Sequence, residues 1–144
     1  MKTTFKILAL FIIVLASSCK KEIEEKQNKI ILLTKPSGWI TTKLEEKTAN
    51  GSWTDITNTI DPFAVDNLLI FDPWYNWAIN ENVLKFPGSA QIPFYGTWQF
   101  VDNETKIQLK DNNLLEIIEL TATSLQTIVT NANGTTNRFT YKHP

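Results

Sequence analysis

Reactive side chains are scarce in this 144-residue chain, which has one Cys, one His and, at Arg138, a single Arg. A lone Cys cannot build a disulfide framework or a Cys-based zinc site. The one His, His143, stands next to the chain end, which argues against His-dependent catalysis and His-rich metal binding. Fourteen basic groups against fifteen acidic leave a net charge of −1. That balance lacks the basic stripe a nucleic-acid binder uses to neutralise phosphates. No metal or cofactor is expected: the P-loop, dinucleotide fingerprint, nucleophile elbow, zinc helix and EF-hand loop motifs are all missing. The chain is not poor in everything. Hydrophobic residues make up 42% and charged residues 20%, which argues against disorder, and there are five Trp, eight Phe and three Tyr. The length suits one domain, at roughly 100–200 residues each.

The N-terminus has the layout of an export signal. Lys2 and Lys6 form a positive start, and Ile7 to Leu15 is an unbroken apolar run too short to span a bilayer permanently. Small residues Ala16, Ser17 and Ser18 follow, then Cys19. Leu15-Ala16-Ser17-Ser18-Cys19 resembles a bacterial lipobox. The resemblance implies cleavage before Cys19, palmitate-type acylation of its thiol and acylation of the new amino group. At about 0.8 kcal/mol per buried CH₂, two or three acyl chains anchor a protein stably to a membrane. The division expected is a lipoprotein signal peptide over 1–18, a lipidated charged tether over 19–31 and a folded domain over 32–144. Lys20-Lys21-Glu22 and the acidic residues behind them resemble the export signal of Bacteroidetes surface lipoproteins. This implies outer-membrane localisation, with exposure on the cell surface left open.

From Ile30 onward the dominant period is two. Ile40 and Leu44, then Tyr75, Trp77 and Ile79, then Gly96, Trp98 and Phe100 alternate with their neighbours. Ile107 and Leu109, then Leu125, Thr127 and Val129, then Phe139 and Tyr141 do the same. Leu68 to Phe71 is a short apolar run, and Leu115 to Leu120 is mixed, as if buried on both faces at one end. Half-buried strands produce such patterns. Asn50-Gly51 and Asn133-Gly134 read as type I′ hairpin turns, whose two central residues need positive φ. The Ile56–Asp66 and Lys85–Pro93 stretches read as long loops. The expectation is an all-β, antiparallel up-and-down meander of about eight strands, closed as a barrel. Closure hides the strand edges and suits a monomer.

Several short motifs recur in this order: Asp66-Asn67-Leu68-Leu69-Ile70-Phe71, Tyr75-Asn76-Trp77, Gly96-Thr97-Trp98 and Ile118-Glu119-Leu120-Thr121. Together with Gly38-Trp39-Ile40 they resemble the lipocalin-like domain of Bacteroidetes lipoproteins, over roughly Leu32 to Tyr141. The resemblance implies a lipocalin-like barrel. Comparison with true lipocalins implies that Arg138 of the last strand packs across Trp39 of the first. The chain departs from the family pattern at Asn67, where a second acidic residue is usual, and around Pro87 and Pro93.

The surplus of aromatic residues is the best pointer to a site. Trp53, Trp74, Tyr75, Trp77, Phe94 and Tyr95 fall in or beside turns and loops, where they would stack on sugars or cover an apolar ligand. The same side chains could equally plug the barrel. Asp61, Asp66 and Asp72 are the carboxylates a glycosidase would need as a facing pair, yet acidic residues beside turns usually cap the backbone. The function expected is non-enzymatic binding of a small apolar or amphipathic ligand, or a glycan piece, with the membrane as partner through Cys19. Two alternatives stand beside it: an interaction accessory of an envelope complex with a filled barrel, and a hydrolase using the loop carboxylates.

Overall fold

The computed structural model describes residues 29–110 and 113–144. The signal-like segment, Cys19 and the charged stretch up to residue 28 lie outside the described residues, as do Asp111 and Asn112. The chain divides into two compact units, Met1–Ile31 and Leu32–Pro144. Residues 29–33 are helical, and a turn hydrogen-bonded from Gly38 N to Lys35 O leads into the first strand.

Nine antiparallel strands follow: β1 (Trp39–Lys47), β2 (Thr54–Asp55), β3 (Leu68–Phe71), β4 (Asn76–Asn80), β5 (Phe94–Val101), β6 (Lys106–Leu109), β7 (Leu114–Leu120), β8 (Ser124–Thr130) and β9 (Thr136–Lys142). From β3 to β9 each strand pairs with the next in sequence. β9 pairs back on β1, from Ile40↔Lys142 to Lys47↔Thr136, and β1 pairs β3 through Trp39↔Leu69. The meander therefore closes as an eight-stranded up-and-down barrel, with β2 as an extra short strand. β2 shares an edge of β1 with β3: β3 lies beside Trp39 and Ile40, β2 beside Glu45 and Glu46. Between them Leu44 hydrogen-bonds the Thr57 hydroxyl and the Ile56 amide. Thr57–Thr59, a single 3-10 turn, is the only regular structure within the loop read at Ile56–Asp66.

The period-two pattern maps onto the inner face. Phe71↔Trp77, Trp77↔Gly96, Trp98↔Leu109 and Thr127↔Phe139 are cross-strand partners on it. Two bulges shift the phase. One lies between Thr41 and Lys43, so Thr41 and Leu44 share a side. The other lies between Ile117 and Glu119 and turns Ile118 outward, 49% exposed. This second bulge explains the mixed Leu115–Leu120 segment: it is not buried on both faces, and one extra residue simply changes which parity points inward.

The turns depart from expectation. Neither Asn50 nor Gly51 has positive φ; a turn closes instead from Gly51 N to Thr48 O, inside a longer β1–β2 loop. At Asn133-Gly134 only Gly134 is left-handed, at φ 82°. Gly134 N donates to Asn131 O and Asn131 N donates to Thr135 O, which is a three-residue hairpin with glycine at its bulge position. The β3–β4 turn copies this design with Tyr75 at the same place, at φ 66°. Tyr75 N donates to Asp72 O and Asp72 N to Asn76 O. Tyr75 is thus a turn residue, and β4 begins after it. Consecutive left-handed residues occur instead in the β5–β6 turn, at Asp102, Asn103 and Glu104, where Thr105 N closes onto Asp102 O.

At the end where β1 begins, the interior is filled. Leu33, Trp39, Ile107 and Leu125 are fully buried and Phe71 is 1% exposed. Trp98 meets Phe71 and Phe100 edge-on, with centroids 5.6 and 5.2 Å away. The Trp39 indole donates to Leu33 O at 2.8 Å, so the segment before β1 stoppers this end. Burying each such side chain contributes about 1.5–3 kcal/mol. Arg138 does not pack across Trp39. The ring of His143 does, with centroids 3.8 Å apart, while Arg138 lies over Trp53 at 4.4 Å. The reason is register: Arg138 pairs with Glu45 on the outer face of β1, far along the strand from Trp39.

Candidate functional site

The opposite end of the barrel is hollow. A cavity of about 540 Å³ lies between Leu44 of β1, Leu69 of β3, Ile79 of β4, Leu115 of β7, Val129 of β8 and Phe139 of β9. Its floor is Trp77, Leu109 and Tyr141, and Ile60 and Ala64 from the β2–β3 excursion reach its rim. These walls come directly from the alternation. Residues 139 and 141 of β9, 127 and 129 of β8, and 77 and 79 of β4 share one inward parity. The aliphatic members of the lining, Leu44, Leu69, Ile79, Leu115 and Val129, are smaller than the Trp and Phe of the filled end, and Trp77, Phe139 and Tyr141 border the space they leave.

A few polar atoms break the apolar lining. The Trp77 indole N–H and the carboxamide oxygens of Asn67 and Asn137 are buried without a hydrogen-bond partner. All three residues line the cavity. Most buried polar groups in folded proteins are paired, and an unpaired one costs about 1–3 kcal/mol. Three such atoms on lining residues leave hydrogen-bonding capacity unused beside this space. Trp77 also lies against Gly96: a Cβ there would stand 2.9 Å from the indole nitrogen, so the glycine makes room for the ring.

The cavity is electrically quiet. None of its sixteen described lining residues carries a charge. Its one titratable group is the Tyr141 phenol, which burial pushes up to about 12 against a smaller pull from the Thr127 hydroxyl. A charged cluster around Glu45 lies on the outer face. Glu45 accepts from Arg138 Nε at 2.8 Å and from Lys43 Nζ at 2.8 Å, and the Arg138 bond, followed by the Lys43 bond, holds its carboxyl below the usual value.

The aromatic residues singled out in the sequence do not gather at one mouth. Trp77 alone of the six lines the cavity. Trp53 precedes β2 on the outside, under Arg138 and 5.9 Å from Lys47 Nζ. Trp74 and Tyr75 occupy the turn at the filled end, Trp74 78% exposed and Tyr75 with its ring 5.2 Å from Trp98. Phe94 opens β5 and is exposed. Tyr95 pairs with Ala78 and sits with Ile70 and Ile92 on an outer groove. The Asp residues act as turn caps. Asp61 Oδ1 accepts from Phe63 N, and Asp66 Oδ2 accepts from Val83 N and Leu84 N. Asp72 Oδ1 accepts from Trp74 N and Asn76 N. Burial alone would raise the Asp72 carboxyl, but the Asn76 and Trp74 bonds outweigh it and keep it below the usual value. Asp66 and Asp72 stand at opposite ends of β3.

Asn67 and Asn137 were not among the candidates. Asn137 could have been found by running the Phe139–Tyr141 parity two residues back, where an amide falls on the inner face. Comparison of the chain with protein-family models, with curated proteins and with solved structures found no match.

Proposed function

We propose that this chain is a lipid-anchored, lipocalin-like envelope protein that holds a small apolar or amphipathic molecule in the open half of its barrel. The observation that carries the binding part is the 540 Å³ cavity with three unpaired polar atoms in its wall. Ligand pockets typically measure about 300–1,000 Å³ and combine apolar walls with a few converging polar groups. The cavity favours this reading over a barrel packed solid as an interaction accessory. The β4–β5 loop leaves the barrel at the cavity end, and its Val83, Leu84 and Phe86 are exposed apolar groups that suit the approach of an apolar molecule. No catalytic step is assigned to the loop carboxylates, each of which accepts from turn or loop backbone amides through one oxygen. The anchoring part rests on Leu15-Ala16-Ser17-Ser18-Cys19 and on the charged stretch behind it. Acylation at Cys19 would hold the barrel at an outer-membrane surface.

Tryptophan fluorescence tests the binding part. Titrating the full chain with a panel of lipids and glycans should give a saturable change with at least one amphipathic lipid, and Trp77→Phe should remove most of it. A flat response across the panel would contradict the proposal. For the anchor, wild-type protein expressed in a lipoprotein-processing bacterium should take up radiolabelled palmitate, and Cys19→Ser should not.

A further inference from the structure

Resting on the cavity reading above, we infer that the molecule held in the barrel is uncharged at its polar end. A long-chain alcohol or primary amide fits; a fatty acid carboxylate does not. Three observations converge. First, none of the sixteen described lining residues is a Lys, Arg or His. A carboxylate inside would be a buried charge without a counter-ion, among the costliest arrangements in a protein. Arg138 and Lys43 of the barrel wall lie on the outer face and are already paired with Glu45. Second, the charged residue opposite Asn137 in the β1–β9 register is Glu46, another acid. An anion seated beside Asn137 would meet repulsion from that residue.

Third, the unused hydrogen-bonding atoms match a neutral head. Asn67 Oδ1 and Asn137 Oδ1 need donors, and Trp77 Nε1 needs an acceptor. A hydroxyl or amide supplies both, whereas a carboxylate only accepts. Rotating either Asn carboxamide would exchange an acceptor for a donor without adding charge. The atoms are spread along the cavity. Trp77 is the second residue of β4, near the filled end, while Asn67 precedes β3 at the mouth side and Asn137 is second in β9. A neutral head is therefore accommodated whether it enters first or last.

The test compares molecules with one tail and different heads. Decanol, decanamide and decanoate are titrated separately into the full chain at neutral pH, followed by tryptophan fluorescence. Decanol and decanamide should bind with similar affinity, and decanoate at least tenfold more weakly. Decanoate binding as tightly as decanol would overturn the inference and leave the cavity reading standing. Binding of none of the three would overturn the cavity reading and the inference together. Trp77→Phe, followed by competition with a bound neutral dye, adds a second readout. It should weaken decanol severalfold more than decane, which has no head. Equal effects on the two would show that the indole N–H meets no head group and would count against the inference.

Discussion

The two ends of the barrel interior follow the same inward parity and reach opposite outcomes. Around Trp39, inward positions hold Trp, Phe, Ile and Leu, and Leu33 from the lead-in segment closes the remaining gap. Around Val129, inward positions hold Val, Leu, Ile and Asn with Phe139 and Trp77 among them, and the rim segment contributes Ile60 and Ala64 without filling the space. Eight strands are near the size at which side chains can either fill a barrel or leave room for one small ligand. The lesson is that hollowness here is a local choice of side-chain volume, made strand by strand. β8 shows it within one element: Leu125 is fully buried, and Val129, four residues on, lines open space.

That contrast can be broken by mutation. Leu125→Ala should cost about 2–5 kcal/mol, because the surrounding aromatic packing cannot collapse onto the hole. Val129→Ala should cost about 1 kcal/mol or less, because its neighbours already face a cavity. Urea unfolding of the two variants measures both, and equal losses would mean that the ends are packed alike.

Tyr141 lies at the seam, with its ring stacked on Phe139 and its phenol raised to about 12. Its unfolded value is about 10, so the folded state holds this proton more tightly. The resulting stability is fully present below pH 10 and is lost as pH rises through 12, by roughly 3 kcal/mol in all. Tyr141→Phe should flatten that alkaline fall in thermal midpoint; an unchanged fall would place the cause elsewhere.

The smallest effects concern the twin turns at 72–76 and 131–135. Gly134→Ala should cost about 1–2 kcal/mol, since the left-handed position penalises a Cβ. Tyr75→Gly relieves the same penalty but loses the Trp98 ring contact, worth about 0.5–1.5 kcal/mol. Its net effect should lie within about 1 kcal/mol of zero, and a large gain on chemical denaturation would show that Tyr75 is simply strained.

Much of the barrel was legible because its signal is local. The alternation at Trp98–Phe100, Ile107–Leu109 and Phe139–Tyr141 marks inward faces directly. Turn geometry was less legible, because Asn133-Gly134 supports more than one hairpin type and the choice depends on how β8 and β9 pair. The bulge at Ile118 could not be read either, since one extra residue looks the same as a strand buried on both faces. The site was half legible. Trp77 stood out as an aromatic residue, but whether inward groups touch across the barrel or leave a gap depends on the summed volume of all the strands. Arg138 found Trp53 instead of Trp39 because register, which the sequence shows only weakly, decides which outer-face groups meet.

If the Val129 end is a ligand cavity, decanol should raise the thermal midpoint of the native chain. Ligand at about 100 times its Kd should stabilise the native chain by about 2.7 kcal/mol. In Val129→Phe, which fills the space with a side chain, the midpoint should stay close to that of the native protein and decanol should not shift it. An equal shift in both proteins, or none in either, would contradict a ligand cavity at this end.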